Sequence, residues 1–124
     1  MNESKDRDSV DPLVLLRDKL RRFATARDWD QFHSPKNLAS ALAVEAAELL
    51  EPFQWLTEEQ SRHLTAAQSQ AVREEMADVL LYLIRLADKL DVDLATAASD
   101  KIVRNSAKYP VEKARGSNKK YTDL

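Results

Sequence analysis

Apolar residues recur along this chain at helical intervals, and polar start and stop signals frame each run. Leu13, Leu16, Leu20 and Phe23 follow Asp11-Pro12, an N-cap with proline at the first helical position, so a first helix is predicted to about Arg27. Ser34-Pro35 repeats that start signal and opens a second helix, which Pro52 ends or kinks. Thr57-x-x-Gln60 and Thr65-x-x-Gln68 have the form of capping boxes. The first opens a short helical turn and the second a long third helix reaching about Leu90. Asp91 or Asp93 caps a fourth helix, which lasts to about Lys108 because Pro110 cannot continue it. Residues 1–10 are charged and aperiodic and read as a flexible tail. The end, VEKARGSNKKYTDL, reads as basic, polar and irregular. The expected fold is all-α: four main antiparallel helices in a single bundle domain over residues 11–124.

Two of these helices are more apolar than a small bundle requires. On the third, Met76, Val79, Leu80, Leu83, Ile84, Ala87 and Leu90 make a broad apolar surface, and leucine and alanine cover much of the second. A helix that is hydrophobic nearly all round is buried on most sides. In so short a chain the expected cover is another copy of itself.

Composition narrows the function. With 124 residues a single modest core is affordable, and one glycine and four prolines leave little room for a turn-rich strand fold. Neither GxGxxG nor GxxxxGK[ST] occurs, so a phosphate ligand would be held by metal and basic side chains. The net charge of −2, from 19 basic and 21 acidic residues, gives no global attraction to nucleic acid or an anionic membrane. The absence of cysteine removes disulfides, thiolate metal sites and cysteine nucleophiles. The polar start lacks the form of a signal peptide, and no apolar run approaches the ~20 residues of a membrane span. A soluble, cytoplasmic protein is expected.

Against this background two acidic pairs stand out, Glu45-x-x-Glu48 within LASALAVEAAELL and Glu75-x-x-Asp78 leading into MADVLLYLIRL. Residues three apart share a helix face, with Cβ atoms about 5–6 Å from each other. Like charges that close, on segments that favour burial, are costly unless a positive charge lies between them. Surface pairing with lysine is the ordinary fate of helical acids, and it serves for Glu51, Glu58, Glu59 and Glu74. It serves less well for Glu45 and Glu48, because no Lys or Arg occurs between Lys36 and Arg62. A divalent cation on Glu45, Glu48, Glu75 and Asp78 is the alternative. The Glu-x-x-His signature of di-iron bundles is missing, since His33 and His63 follow Asp30 and Gln60 at that spacing. Zinc lacks its cysteines and paired histidines. Mg2+, with Mn2+ as a substitute, and a phosphorylated substrate remain.

Lys101, Asn105 and Lys108 fall at i, i+4 and i+7 on the fourth helix, with Arg104 beside them. This stripe suits phosphate oxygens, and equally a solvated basic face near a helix C-terminus. Arg115, Lys119 and Lys120 read as a lid or a soluble tail. Glu75, Asp78 and Tyr82 form one stripe, so Tyr82 should neighbour the metal. For Trp29, His33 and Trp55 a stacking pocket for a base or sugar competes with a role as core plugs; Phe32 and Phe53 read as core.

Taken together, RDWDQFH, EAAELLEPFQW, EEMADVLLYL and KIVRNSAKYP, with the KYTDL ending, resemble the MazG-like all-α nucleoside triphosphate pyrophosphohydrolases. The resemblance spans about Leu13 to Leu124 and is closest to the dCTP pyrophosphatase branch. It implies Glu45, Glu48, Glu75 and Asp78 as magnesium ligands; a carboxylate among them that is not fully coordinated could take the proton of the attacking water, with Glu45 and Glu48 as the catalytic candidates. It implies a nucleoside pocket from Trp29 through His33 with Trp55 and Tyr82, and phosphates facing Lys101, Asn105 and Lys108. It also implies a tetramer whose sites form between subunits. The reaction so implied converts a deoxynucleoside triphosphate, dCTP or a modified dCTP, to monophosphate and pyrophosphate. The rivals are the same fold acting on dUTP, a damaged nucleotide or an alarmone, and a non-enzymatic helical protein that binds a partner. His63, in a variable link, reads as an ordinary surface histidine.

Overall fold

Every expected start signal acts as a cap. Asp11 accepts from the Leu13 amide at 2.9 Å and Ser34 from the Asn37 amide at 3.1 Å. Thr57 with Gln60, and Thr65 with Gln68, form complete reciprocal capping boxes. Asp93, not Asp91, caps the last long helix by accepting from the Thr96 amide at 3.1 Å. Asp91 instead turns the chain at φ 55° just after the preceding helix, a conformation that aspartate tolerates better than most residues.

A computed structural model describes residues 11–124, and the regular structure among them is entirely helical. The helices are α1 (Pro12–Ala26), α2 (Pro35–Leu50), α3 (Glu58–Arg62), α4 (Ala66–Lys89), α5 (Leu94–Lys108) and α6 (Val111–Ala114). Short 3₁₀ turns cover Asp30–Phe32 and Tyr121–Asp123. The tail expected over residues 1–10 lies outside the described residues. No described helix is long and apolar enough to cross a membrane.

The chain divides into two compact units, one ending at Asp91 and the other Val92–Leu124. In the first, α4 packs against α2 and, less extensively, α1. Ala24 from α1, Leu38 from α2, and Val72, Ile84 and Ala87 from α4 form its buried apolar core. Val44 and Leu50 on α2, and Met76, Leu80 and Leu83 on α4, remain exposed. Phe32 departs from its expected core role, being 59% exposed. Its turn is held by polar bonds instead, with the Phe32 carbonyl accepting from Asn37 Nδ2 at 3.0 Å.

The second unit corrects the expectation of an irregular end. Pro110 stops α5 but leads directly into the single turn α6, because proline's fixed φ suits the start of a helix. Farther on, Tyr121 meets Tyr109 edge to face at 6.0 Å and carries the Lys108 ammonium 4.9 Å from its ring centre.

Candidate functional site

The α2–α4 pairing brings three of the four singled-out acids together. Glu45, Glu48 and Glu75 each present a carboxylate oxygen within 4.8 Å of the others. All three are half-buried. Glu45 Oε2 and Glu75 Oε2 are fully shielded and have no hydrogen-bond partner. Burial, reinforced by the Glu48 carboxylate, pushes the Glu45 pKa up to about 7. Burial, then the charge of Glu48, raises that of Glu75 as well. Two shielded oxygens without donors, beside a third carboxylate, suit a hard divalent cation that supplies the missing positive charge. Asp78 stands apart from this triad. It is exposed and lines a neighbouring pocket, although its charge still contributes to the raised pKa of both Glu45 and Glu75.

That pocket, a cavity of about 220 Å³, is lined by Leu20, Phe23 and Ala24 of α1, Leu38 of α2, Asp78, Leu81, Tyr82 and Arg85 of α4, and Trp29 and His33 from the α1–α2 link. The way α1 ends explains how Trp29 arrives there. Asp28 takes a left-handed φ of 54°, its amide bonds the Thr25 carbonyl, and the Trp29 amide returns to the Ala24 carbonyl at 2.9 Å. This is a Schellman ending, in which the residue after the left-handed one packs back on the last turn. Here that contact is Trp29 edge to face with Phe23, ring centres 5.5 Å apart.

His33 is fixed by a charge cluster that the sequence reading did not assemble. Arg85 is 6% exposed; its Nε donates to His33 Nδ1 at 3.1 Å, while its terminal nitrogens donate to Asp30 at 2.6 Å and Asp88 at 3.3 Å. Lys89 also bonds Asp30, and Arg21 Nε donates to Asp88 at 2.8 Å. The Lys89 bond holds the Asp30 carboxyl below its usual range, and the Arg21 bond does the same for Asp88. Burial, then the charges of Arg85 and Lys89, lowers the pKa of His33. The available signal was an arginine set inside the apolar run MADVLLYLIRL, where a lone charge needs partners.

The remaining candidates stand elsewhere. Trp55 is 87% exposed in the turn after α2 and does not line the pocket. Lys101, Asn105 and Lys108 are exposed on α5, in the second unit. His63 is a surface residue paired with Glu59 at 3.0 Å.

Comparison with known proteins agrees with this architecture. Residues 41–124, which carry both acidic pairs, match the MazG-like family. Mouse dCTP pyrophosphatase 1 is 47% identical over 104 residues, an alignment covering 82% of this chain and 61% of the mouse protein. The human dCTP pyrophosphatase 1 is 42% identical over 121 residues, covering 94% of this chain and 71% of that protein. This chain therefore spans less than two thirds of the mouse relative's length. The crystal structure of a pyrophosphatase from Archaeoglobus fulgidus superposes with a TM-score of 0.76 at 38% identity, covering 82% of this chain and 94% of that one. With both acidic pairs inside the matched region and its fold shared with a pyrophosphatase, this chain belongs to the MazG-like family.

Proposed function

We propose that this protein hydrolyses a deoxynucleoside triphosphate, dCTP or a modified dCTP, to the monophosphate and pyrophosphate, and so removes unwanted nucleotides from the pool. The observation that carries this reading is the donor-less carboxylate triad beside an aromatic-lined pocket. The mouse and human relatives, both dCTP pyrophosphatases, support the choice of substrate.

In this reading Glu45, Glu48 and Glu75 would hold Mg2+, or Mn2+ in its place, and Asp78 is assigned to the set by resemblance. The bound cation supplies charge neutralisation for the triphosphate and acidifies water. Glu45 and Glu48 are the candidate proton acceptors for the attacking water. Trp29 and Tyr82 flank the base, and His33 meets its polar edge. Lys101, Asn105 and Lys108 counter charge on the departing pyrophosphate, a role that rests on the resemblance of their segment to the family's. Trp55, almost fully exposed in one chain, covers the nucleotide bound by another copy of a homo-oligomer, a tetramer by the same resemblance. No nucleic acid or membrane partner is required.

The test is pyrophosphate release from a panel of canonical and modified nucleoside triphosphates, with Mg2+ and with EDTA. Release that needs the metal and favours dCTP or its modified forms is expected, and Glu48→Gln should abolish it while helix content is unchanged. Preference for another base would retain the metal chemistry and discard the pocket assignment. Silence across the panel from folded protein would favour a partner-binding role.

A further inference from the structure

We propose that Arg85 is a positioning residue that turns His33 into a fixed hydrogen-bond donor, so that the pocket accepts only ligands presenting an acceptor to His33 Nε2. This deepens the proposed function and rests on its placement of a base in the pocket.

The argument begins with the imidazole's two nitrogens. A guanidinium is never an acceptor, so the Arg85 Nε–H pointing at Nδ1 from 3.1 Å requires Nδ1 to be bare. The ring proton of neutral His33 then sits on Nε2. No described residue bonds Nε2, and His33 lines the cavity. An Nε2–H without a protein partner, on a residue that lines a pocket, is a donor open to an acceptor. Cytosine offers O2 and N3 for that purpose; its 4-amino group, a donor, does not fit.

Arg85 is well suited to hold this arrangement and poorly suited to touch ligand. It is nearly buried, and each of its three nitrogens already donates, to His33, Asp30 and Asp88. Asp30 and Asp88 each keep a second cation, Lys89 and Arg21. Removing Arg85 therefore leaves both carboxylates paired, and its loss falls on the single group with no other partner, His33 Nδ1.

Nitrogen-15 NMR of the histidine rings tests the claim directly. Wild-type protein without nucleotide should show His33 bare at Nδ1 and protonated at Nε2, and Arg85→Met should lose that preference. The KM for dCTP should rise about tenfold in Arg85→Met, the worth of one hydrogen bond, with kcat within about threefold of wild type. In a His33→Ala background, Arg85→Met should add nothing further to KM, because its effect passes through the imidazole. A wild-type ring protonated at Nδ1 would overturn the proposal, even if Arg85→Met failed to fold, and would leave the base pocket standing. The full KM effect persisting without His33 would likewise overturn it, reducing Arg85 to a structural clamp. Binding of α,β-imido-dCTP that leaves the His33 resonances unmoved would instead remove the base from this pocket, and the recognition role with it.

Discussion

At the scale of single residues, Glu45 makes the candidate site sensitive to pH. Its folded pKa near 7 stands above the ordinary 4.5, so between those values the folded protein holds a proton that the unfolded chain has released. Stability of the metal-free protein from this group is therefore full below about pH 4.5 and falls as the pH rises toward 7. Asp30 and Asp88, with lowered pKa values, act in the opposite sense and lose their contribution on acidification. Comparison with Glu45→Gln isolates the first effect. In EDTA the variant should melt with wild type near pH 4.5 and above it at pH 8. Adding Mg2+ at pH 8 should raise the wild-type melting temperature and move the variant much less. A wild-type Tm unmoved by Mg2+ would count against cation binding by the triad.

The elements explain why those residues meet. One helix, α4, carries Glu75, Asp78, Tyr82 and Arg85, so the acidic cluster, the pocket and the charge cluster share one rigid body. Its start is fixed by the Thr65–Gln68 capping box. Thr65→Ala should cost about 1 kcal/mol of stability, read from the urea midpoint, because the Gln68 amide loses its acceptor. Substrate KM should change little, since the site residues begin more than two turns farther along. The link between α1 and α2 works differently. Its conformation follows from the left-handed Asp28, the returning Trp29 amide and the bonds from Arg85 and Lys89 to Asp30. A helix presents its residues by periodicity, whereas this link presents Trp29 and His33 through individual bonds.

For the whole molecule, the amount of uncovered apolar surface is the main physical fact. Val44, Leu50, Met76, Leu80 and Leu83 are exposed in the first unit, and Ile102 and Val103 in the second. Solitary exposed leucines are ordinary, but so many in 124 residues favour association. Sedimentation equilibrium at micromolar concentration should give a multimer, with a tetramer expected. Leu80→Glu combined with Leu83→Glu should lower that mass and weaken nucleotide binding together. A wild-type monomer over this range would remove the shared-site proposal and leave Trp55 without its role.

The sequence by itself determined the main helices and the acidic residues that two of them carry. Capping residues, prolines and three- or four-residue spacing act through neighbours in the chain, and so do the acidic pairs, whose members share a face by helical geometry alone. The choice between Asp91 and Asp93 was open because both are competent caps, and backbone conformation decided it. Only the tertiary structure decided that Glu45, Glu48 and Glu75 converge while Asp78 turns to the pocket, and that Arg85 clasps His33 from 52 residues away. Those outcomes depend on how α2, α4 and the α1–α2 link pack, a matter of side-chain shape and burial across distant segments, on which local periodicity carries no information.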